Sequence, residues 1–229
     1  MTSTTSELSL PPLSPTPRST LRRRADRART DRAELYAVLD AGMVCHLGVV
    51  ADGAPVVLPT AYGRGRGEHA DTLYLHGSTG AASLRAAAAG AAVCVTVTHV
   101  DGVVYARSLF HHSLNYRSAV VHGVARLVTD PEEKLAGLRA IVDNVAPGSW
   151  EHARHPTRKE LAATAVLALP LAEASVKVRT GPPRDDEQDV AAGDRWAGVL
   201  PIRTVVDAPL PCPLLPPGTP VPAHVATRR

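Results

Sequence analysis

From residue 43 onward the chain falls into short extended runs separated by turn signals, and that pattern constrains the fold more than any other feature. MVCHLGVV (43–50), Asp52-Gly53 and APVVLPTAY (54–62) read as two strands joined by a two-residue turn. GRGRGEHAD (63–71) is a longer hairpin loop and TLYLH (72–76) a third strand. AAVCVTVTHV (91–100), Asp101-Gly102 and VVYARSLF (103–110) repeat the hairpin pattern, and SAVVHGVARLVT (118–129) makes a long strand. VLALPL (166–171), ASVKVRT (174–180) and WAGVLPIRTVV (196–206) supply the rest. Six to eight strands joined mostly by hairpins predict a mainly β (α+β) fold. Its form is an antiparallel β-barrel with peripheral helices, not a βαβ fold.

Helix signals fall between these runs. Asp31 followed by Glu34 forms an acidic capping pattern, with Leu35, Val38 and Leu39 on one face and Gly42 near the end. GSTGAASLRAAAAG (77–90) predicts a short Ala-rich helix capped by Ser78 or Thr79. Asp130-Pro131-Glu132-Glu133 is a strong start, and Thr157 with Glu160 is a second capping box. Arg22, Arg23, Arg24, Arg27, Arg29 and Arg32 read first as a solvated basic face, with anion binding as the lesser alternative. The expected organisation is a Ser/Thr/Pro-rich disordered arm (1–20), one domain (21–208) and a Pro-rich tail (209–229).

Several classes are disfavoured. A net charge of +3 without interleaved aromatics argues against a nucleic-acid partner. No apolar stretch approaches ~18 residues, so no spanning helix and no membrane partner are expected. Residues 1–17 lack a basic n-region ahead of an apolar h-region, and Cys45, Cys94 and Cys212 lie far apart without a CxxC pair. Reduced thiols in a cytoplasmic setting are the expectation, with Cys45 and Cys94 as buried small hydrophobes.

The richest chemical stretch is FHHSLNYRSAVVHG (110–123). On a strand, alternation would send His111 and His112 to opposite faces, so they would not share a metal ion, and no metal site is expected. Haem needs only one axial His, which spacing leaves open. There is no GxSxG, and Gly63, Gly65 and Gly67 precede no helix, so a hairpin fits them better than a phosphate loop. What remains is a polar set at strand ends and turns: Thr60, Tyr62, His76, Ser78, Ser83, Arg85, Asn115, Tyr116, Arg117 and Ser118. Hydroxyls with one or two guanidinium groups can hold a phosphate without a glycine loop.

VCHLGVV (44–50), VLPTAYG (57–63), LYLHGS (73–78), VCVTVT (93–98), HHSLNYRSAVVHGVARLV (111–128), VKVRTGPP (176–183) and WAGVLPI (196–202), in that order, resemble the pyridoxamine 5′-phosphate oxidase superfamily. The nearest branch is the flavin-nucleotide-binding proteins related to nitroimidazole reductases. The resemblance implies a six-stranded antiparallel split β-barrel of the FMN-binding type with peripheral helices, forming a homodimer with FMN at the subunit interface. It implicates Thr60, Tyr62, His76, Ser78, Ser83 and Arg85 around the phosphate and ribityl chain. Asn115, Arg117 and Ser118 would face the flavin, Trp196 would cover it from the other subunit, and His76 would lie near the reactive face as the catalytic candidate. The oxidases' Arg-Lys pair is replaced here by Gly80-Ala81, which disfavours vitamin B6 oxidation. The implied activity passes electrons from a reduced nicotinamide through flavin to a small organic acceptor, with nitro-aromatics among the candidates. The alternatives are a flavin-binding protein without turnover, or the same barrel with haem or a deazaflavin.

Overall fold

The computed structural model describes residues 12–13 and 16–228. In chain order its elements are β1 (Ala28–Arg29), α1 (Arg32–Asp40), β2 (Val44–Ala51), β3 (Ala54–Arg64), β4 (Thr72–Ser78), α2 (Ala82–Ala88), β5 (Ala92–Tyr105), β6 (Ser113–Val124) and β7 (Arg126–Leu127). They continue with α3 (Pro131–Val145), α4 (Ser149–His152), α5 (Arg158–Ala163), β8 (Thr164–Pro170), β9 (Glu173–Arg179), α6 (Glu187–Ala192), β10 (Gly198–Pro201) and α7 (Ala223–Ala226). The strands form one antiparallel sheet in the order β1-β9-β6-β5-β2-β3-β4-β8-β7, with β10 added to β5. The expected mainly β, antiparallel architecture with peripheral helices is therefore present, built among the described residues from ten strands rather than six.

Two long strands curl this sheet. β3 pairs with β2 from Ala54 to Ala61, then passes to β4 from Tyr62 to Arg64. β5 pairs with β2 near its start and with β10 near its end, along the same edge. The curl brings β8 over β6: a Cβ added at Gly123 would stand 2.8 Å from Leu169. Cys45, Leu47, Val49, Val93, Val95, Val97, Ala119 and Val121 alternate inward and meet Leu35, Val38 and Leu39 of α1 in the main core. A second cluster under α3 holds Tyr74, Val128, Ile141, Val166 and Ala168.

Local signals explain the starts of α1, α3 and α5. Asp31 accepts from Ala33 N at 2.8 Å, and Asp130 accepts from Glu133 N with Pro131 in the first turn. Thr157 and Glu160 complete a reciprocal capping box. The Asp52-Gly53 turn has φ of 50° and 77°, as a two-residue hairpin turn with positive φ at both central residues requires.

The structure corrects several expectations. Asp101-Gly102 is no turn: β5 runs through it as one 14-residue strand. The Asp101 carboxylate is taken by Arg117 of β6 through two hydrogen bonds of 2.9 Å, and the pairing with β6 is irregular between Val100 and Gly102. The chain reverses instead through a 3-10 turn at Leu109–His111. α2 is preceded by Ala81 without a side-chain cap, because Ser78 still belongs to β4. The last strand is confined to Gly198–Pro201.

Part of the expected N-terminal arm is packed. Leu13 is buried in the main core with its N–H on Thr30 O at 2.8 Å, and Arg18 binds Glu173 of β9. Residues 1–11, 14 and 15 of that arm lie outside the described residues. Arg32 is buried rather than solvated, with Nη1 2.6 Å from Asp71. The Pro-rich tail carries α7, whose His224 ring meets His152 at 5.0 Å; Arg229 lies outside the described residues. Among the described residues no helix is long and apolar enough to cross a membrane.

Candidate functional site

β4 alternates Leu73 and Leu75 into the main core and Tyr74 to the opposite face, beneath α3. His76 follows on that same face. Its ring enters a cavity of about 340 Å3 between β4 and the helices α3, α4 and α5. Leu138, Val142, Trp150, Leu161 and Thr164 wall this cavity, and Arg154 and His155 stand in it. Nδ1 of His76 is buried and has no hydrogen-bond partner, and burial lowers the pKa of the ring from 6.5. His76 is thus a neutral imidazole at pH 7, half-buried among apolar walls.

The cavity's other polar groups are engaged with one another. Arg154 pairs with Glu160 at 2.8 Å, and His155 Nε2 donates to Trp150 O at 3.1 Å. Arg154 and the Thr157 backbone hold Glu160 down to about 2, so its carboxylate is charged. The α3 wall is fixed closely: a Cβ at Gly63 would come within 2.2 Å of the Ala140 carbonyl carbon, and one at Gly137 within 2.8 Å of the Tyr74 ring. Only glycine admits this approach of helix to sheet.

The candidates from the sequence are not gathered at one point. Ser78 and Arg85 share the Gly80 turn: Ser78 Oγ accepts from Gly80 N at 3.2 Å, and Arg85 Nη1 donates to Gly80 O at 2.6 Å. Ser83 lies half-buried on α2 beside them. Tyr62 is a core residue, fully buried, donating its hydroxyl to Leu39 O at 2.5 Å. Thr60 is half-buried on the same face of β3, with only a 3.3 Å bond to Ala61 O. Asn115 is buried, accepts from Arg179 and donates to Gly181 O at 3.2 Å. Arg117 is held by Asp101, and Ser118 faces the other side of β6, near Lys177 O at 3.5 Å. Trp196 is 72% exposed, its ring 5.9 Å from Tyr105.

His111 and His112 precede β6, in the 3-10 turn and its cap, and both line a second, basic cavity of about 470 Å3. Sequence reading missed Trp150, His155 and Leu161 around His76, which the fold brings there from α4, α5 and the connection between them. A Trp and a His outside any strand pattern were the available signal.

The architecture is thus a half-barrel: a curled antiparallel sheet with an apolar, histidine-containing cavity on its helical flank and a basic cavity at one edge. Residues 31–178 match the family model described as pyridoxamine 5′-phosphate oxidase, and the chain belongs to that family. It is similar to the flavocytochrome Anf3 from Azotobacter vinelandii, with 41% identity and a TM-score of 0.87 over 95% of this chain and 99% of that one. It is also similar to the FAD and heme binding protein from Mycobacterium smegmatis, with 43% identity and a TM-score of 0.81 over 87% and 95% of the two chains. A Bacteroides thetaiotaomicron protein described as a 5-nitroimidazole antibiotic resistance protein shares the fold at 20% identity and a TM-score of 0.55, over 66% of this chain and 86% of that one. No match is found among curated protein sequences.

Proposed function

We propose that the chain is a redox protein binding a flavin and a haem, and that it works as a homodimer. The observation that carries this reading is the similarity, over nearly the whole chain, to two proteins named as a flavocytochrome and as an FAD and heme binding protein. The second of those names favours FAD over the FMN that the family resemblance implies. A bound flavin would supply two-electron chemistry with a reduced nicotinamide, and a bound haem one-electron chemistry.

The residues around His76 fit a haem. A neutral imidazole with a buried, unpartnered ring nitrogen stands in an apolar cavity, the environment that ligates iron without competing for a proton. His76 would hold the iron, and Leu138, Val142, Trp150 and Leu161 would enclose the macrocycle and exclude water. This replaces a direct catalytic role for His76 at the flavin. The flavin phosphate falls to Ser78, Ser83 and Arg85, whose guanidinium keeps donors free beyond its bond to Gly80 O.

The homodimer reading rests on the outer face of the sheet, where Val44, Val50, Val57, Val100 and Val124 are exposed on adjacent strands. A second copy covering this face would remove a large apolar surface from water. Trp196 would then close over the partner's flavin.

The test is mass identification of what the purified protein releases on denaturation. Release of FAD and haem b supports the proposal. Release of neither from protein expressed with haem and flavin in supply overturns it.

A further inference from the structure

The basic cavity is used by neither proposed cofactor site. Six permanent cations surround it: Arg23, Arg24 and Arg27 before β1, Lys177 and Arg179 on β9, and Arg184 beyond it. Among the described residues one carboxylate is paired with these cations, Asp26, at 3.3 Å from Arg24 and 3.8 Å from Arg184. Asp185 is committed to Arg107 at 2.7 Å, and Asp186 faces His111 at 3.3 Å. Arg23 and Arg27 have no side-chain hydrogen bond or ion pair among the described residues.

Arg179 is the most telling member. It is 8% exposed, and its guanidinium donates only to neutral oxygens: Asn115 Oδ1, Gly181 O and Pro182 O. Burial, and then the charges of Arg27, Arg184 and Arg24, lower its pKa. Positive charge this concentrated and this poorly neutralised is costly in an unliganded fold, and a bound polyanion relieves it.

The cavity also offers flat apolar surface. Phe110 lines it with its ring 88% exposed. His112 lies beside it, packed edge-on to Tyr105 at 5.7 Å. An exposed aromatic next to a cluster of arginines suits a planar base linked to phosphates.

We propose that this cavity binds a nucleotide through its pyrophosphate, with the phosphates among the arginines and the base against Phe110. One phosphate would leave most of the six cations unmatched, so a diphosphate fits better. An ADP moiety occurs both in FAD and in a reduced nicotinamide dinucleotide, and the two sources are separable. The site stands on its own residues and does not need a haem at His76.

Isothermal titration of ADP and AMP into the wild type and into the Arg23→Ala/Arg27→Ala variant tests this, with flavin content read from absorbance. Neither guanidinium has a partner to lose, so the variant's melting temperature stays at the wild-type value. A loss of about tenfold or more in ADP affinity with flavin retained supports a separate nucleotide site. Isolation of the variant with its FAD depleted supports the flavin's own pyrophosphate as occupant, in place of its assignment to Ser78, Ser83 and Arg85. A variant with wild-type ADP affinity and wild-type flavin content overturns the proposal, as does a wild type that takes neither. If the variant fails to fold, the wild type decides: ADP binds about tenfold tighter than AMP, and equal affinities overturn the proposal.

Discussion

Replacing Gly63 by alanine tests the packing that builds the His76 cavity. The new Cβ would lie 2.2 Å from the Ala140 carbonyl carbon, 2.4 Å from its oxygen and 2.4 Å from Ile141 N. All three are helix backbone, so no side chain can rotate away. Ordinary contact begins near 3.4 Å, so α3 must withdraw by about 1.2 Å or β3 must bend. Overpacking against backbone belongs at the costly end of the usual range, about 3 kcal/mol. At roughly 2–4 °C per kcal/mol for a domain of this size, the melting temperature falls by about 6–12 °C. Gly53→Ala is the control: its φ is +77° but nothing lies within 4 Å, so only conformational strain of about 1 kcal/mol applies. The assay is calorimetry on both variants. Because Leu138 and Val142 ride on α3, Gly63→Ala also loosens the cavity and lowers cofactor retention. A Gly63→Ala protein that melts within 2 °C or so of the wild type, or no lower than Gly53→Ala, refutes the close approach.

Other outcomes follow from burial and charge. Cys45 is fully buried, and burial pushes its thiol up to about 12, whereas Cys212 is exposed. Iodoacetamide at pH 8 should therefore modify Cys212 in the native protein and Cys45 only after denaturation, as peptide mapping would show. Arg18 and then Thr16 hold Glu173 at about 2, below its ordinary 4.5. A carboxyl lowered on folding contributes stability above 4.5 that disappears as pH falls towards about 2, so acid should release the residues 16–20 from β9. Arg18→Ala should flatten that acid limb in urea titrations followed between pH 5 and pH 2. Val57→Lys, at a position 64% exposed on the outer sheet face, should turn a dimer into a monomer by light scattering. An unchanged mass for Val57→Lys would remove that face from the interface.

The sequence exposes those features whose causes are local. Asp52-Gly53 makes its hairpin because the next residues on either side pair directly, and the dipeptide supplies the positive φ values. Asp101-Gly102 is the same dipeptide with the opposite outcome. Arg117, 16 residues away, holds the Asp101 carboxylate, and β10 lies so close that a Cβ on Gly102 would stand 3.0 Å from Leu200 O. Neither partner lies in the local window, so strand continuity there is a tertiary result. Candidate site residues divide in the same way. His76 was legible as a polar residue ending an apolar strand, but its cavity walls come from helices more than 60 residues further on. For Tyr62 and Asn115 the sequence gives no hint of where their hydrogen bonds go, and the fold takes them to Leu39 O and to Arg179 and Gly181 O. The basic cavity joins arginines before β1 to others after residue 176, and only the sheet order β1-β9-β6 brings them together.

The most direct measurement is the visible absorbance spectrum of the purified protein beside that of His76→Leu. The proposal requires a Soret band and flavin absorption in the wild type. The variant should lose the Soret band and keep the flavin absorption, with its melting temperature showing that it is folded. A wild type without a Soret band, or a Soret band unchanged in His76→Leu, contradicts haem binding at His76.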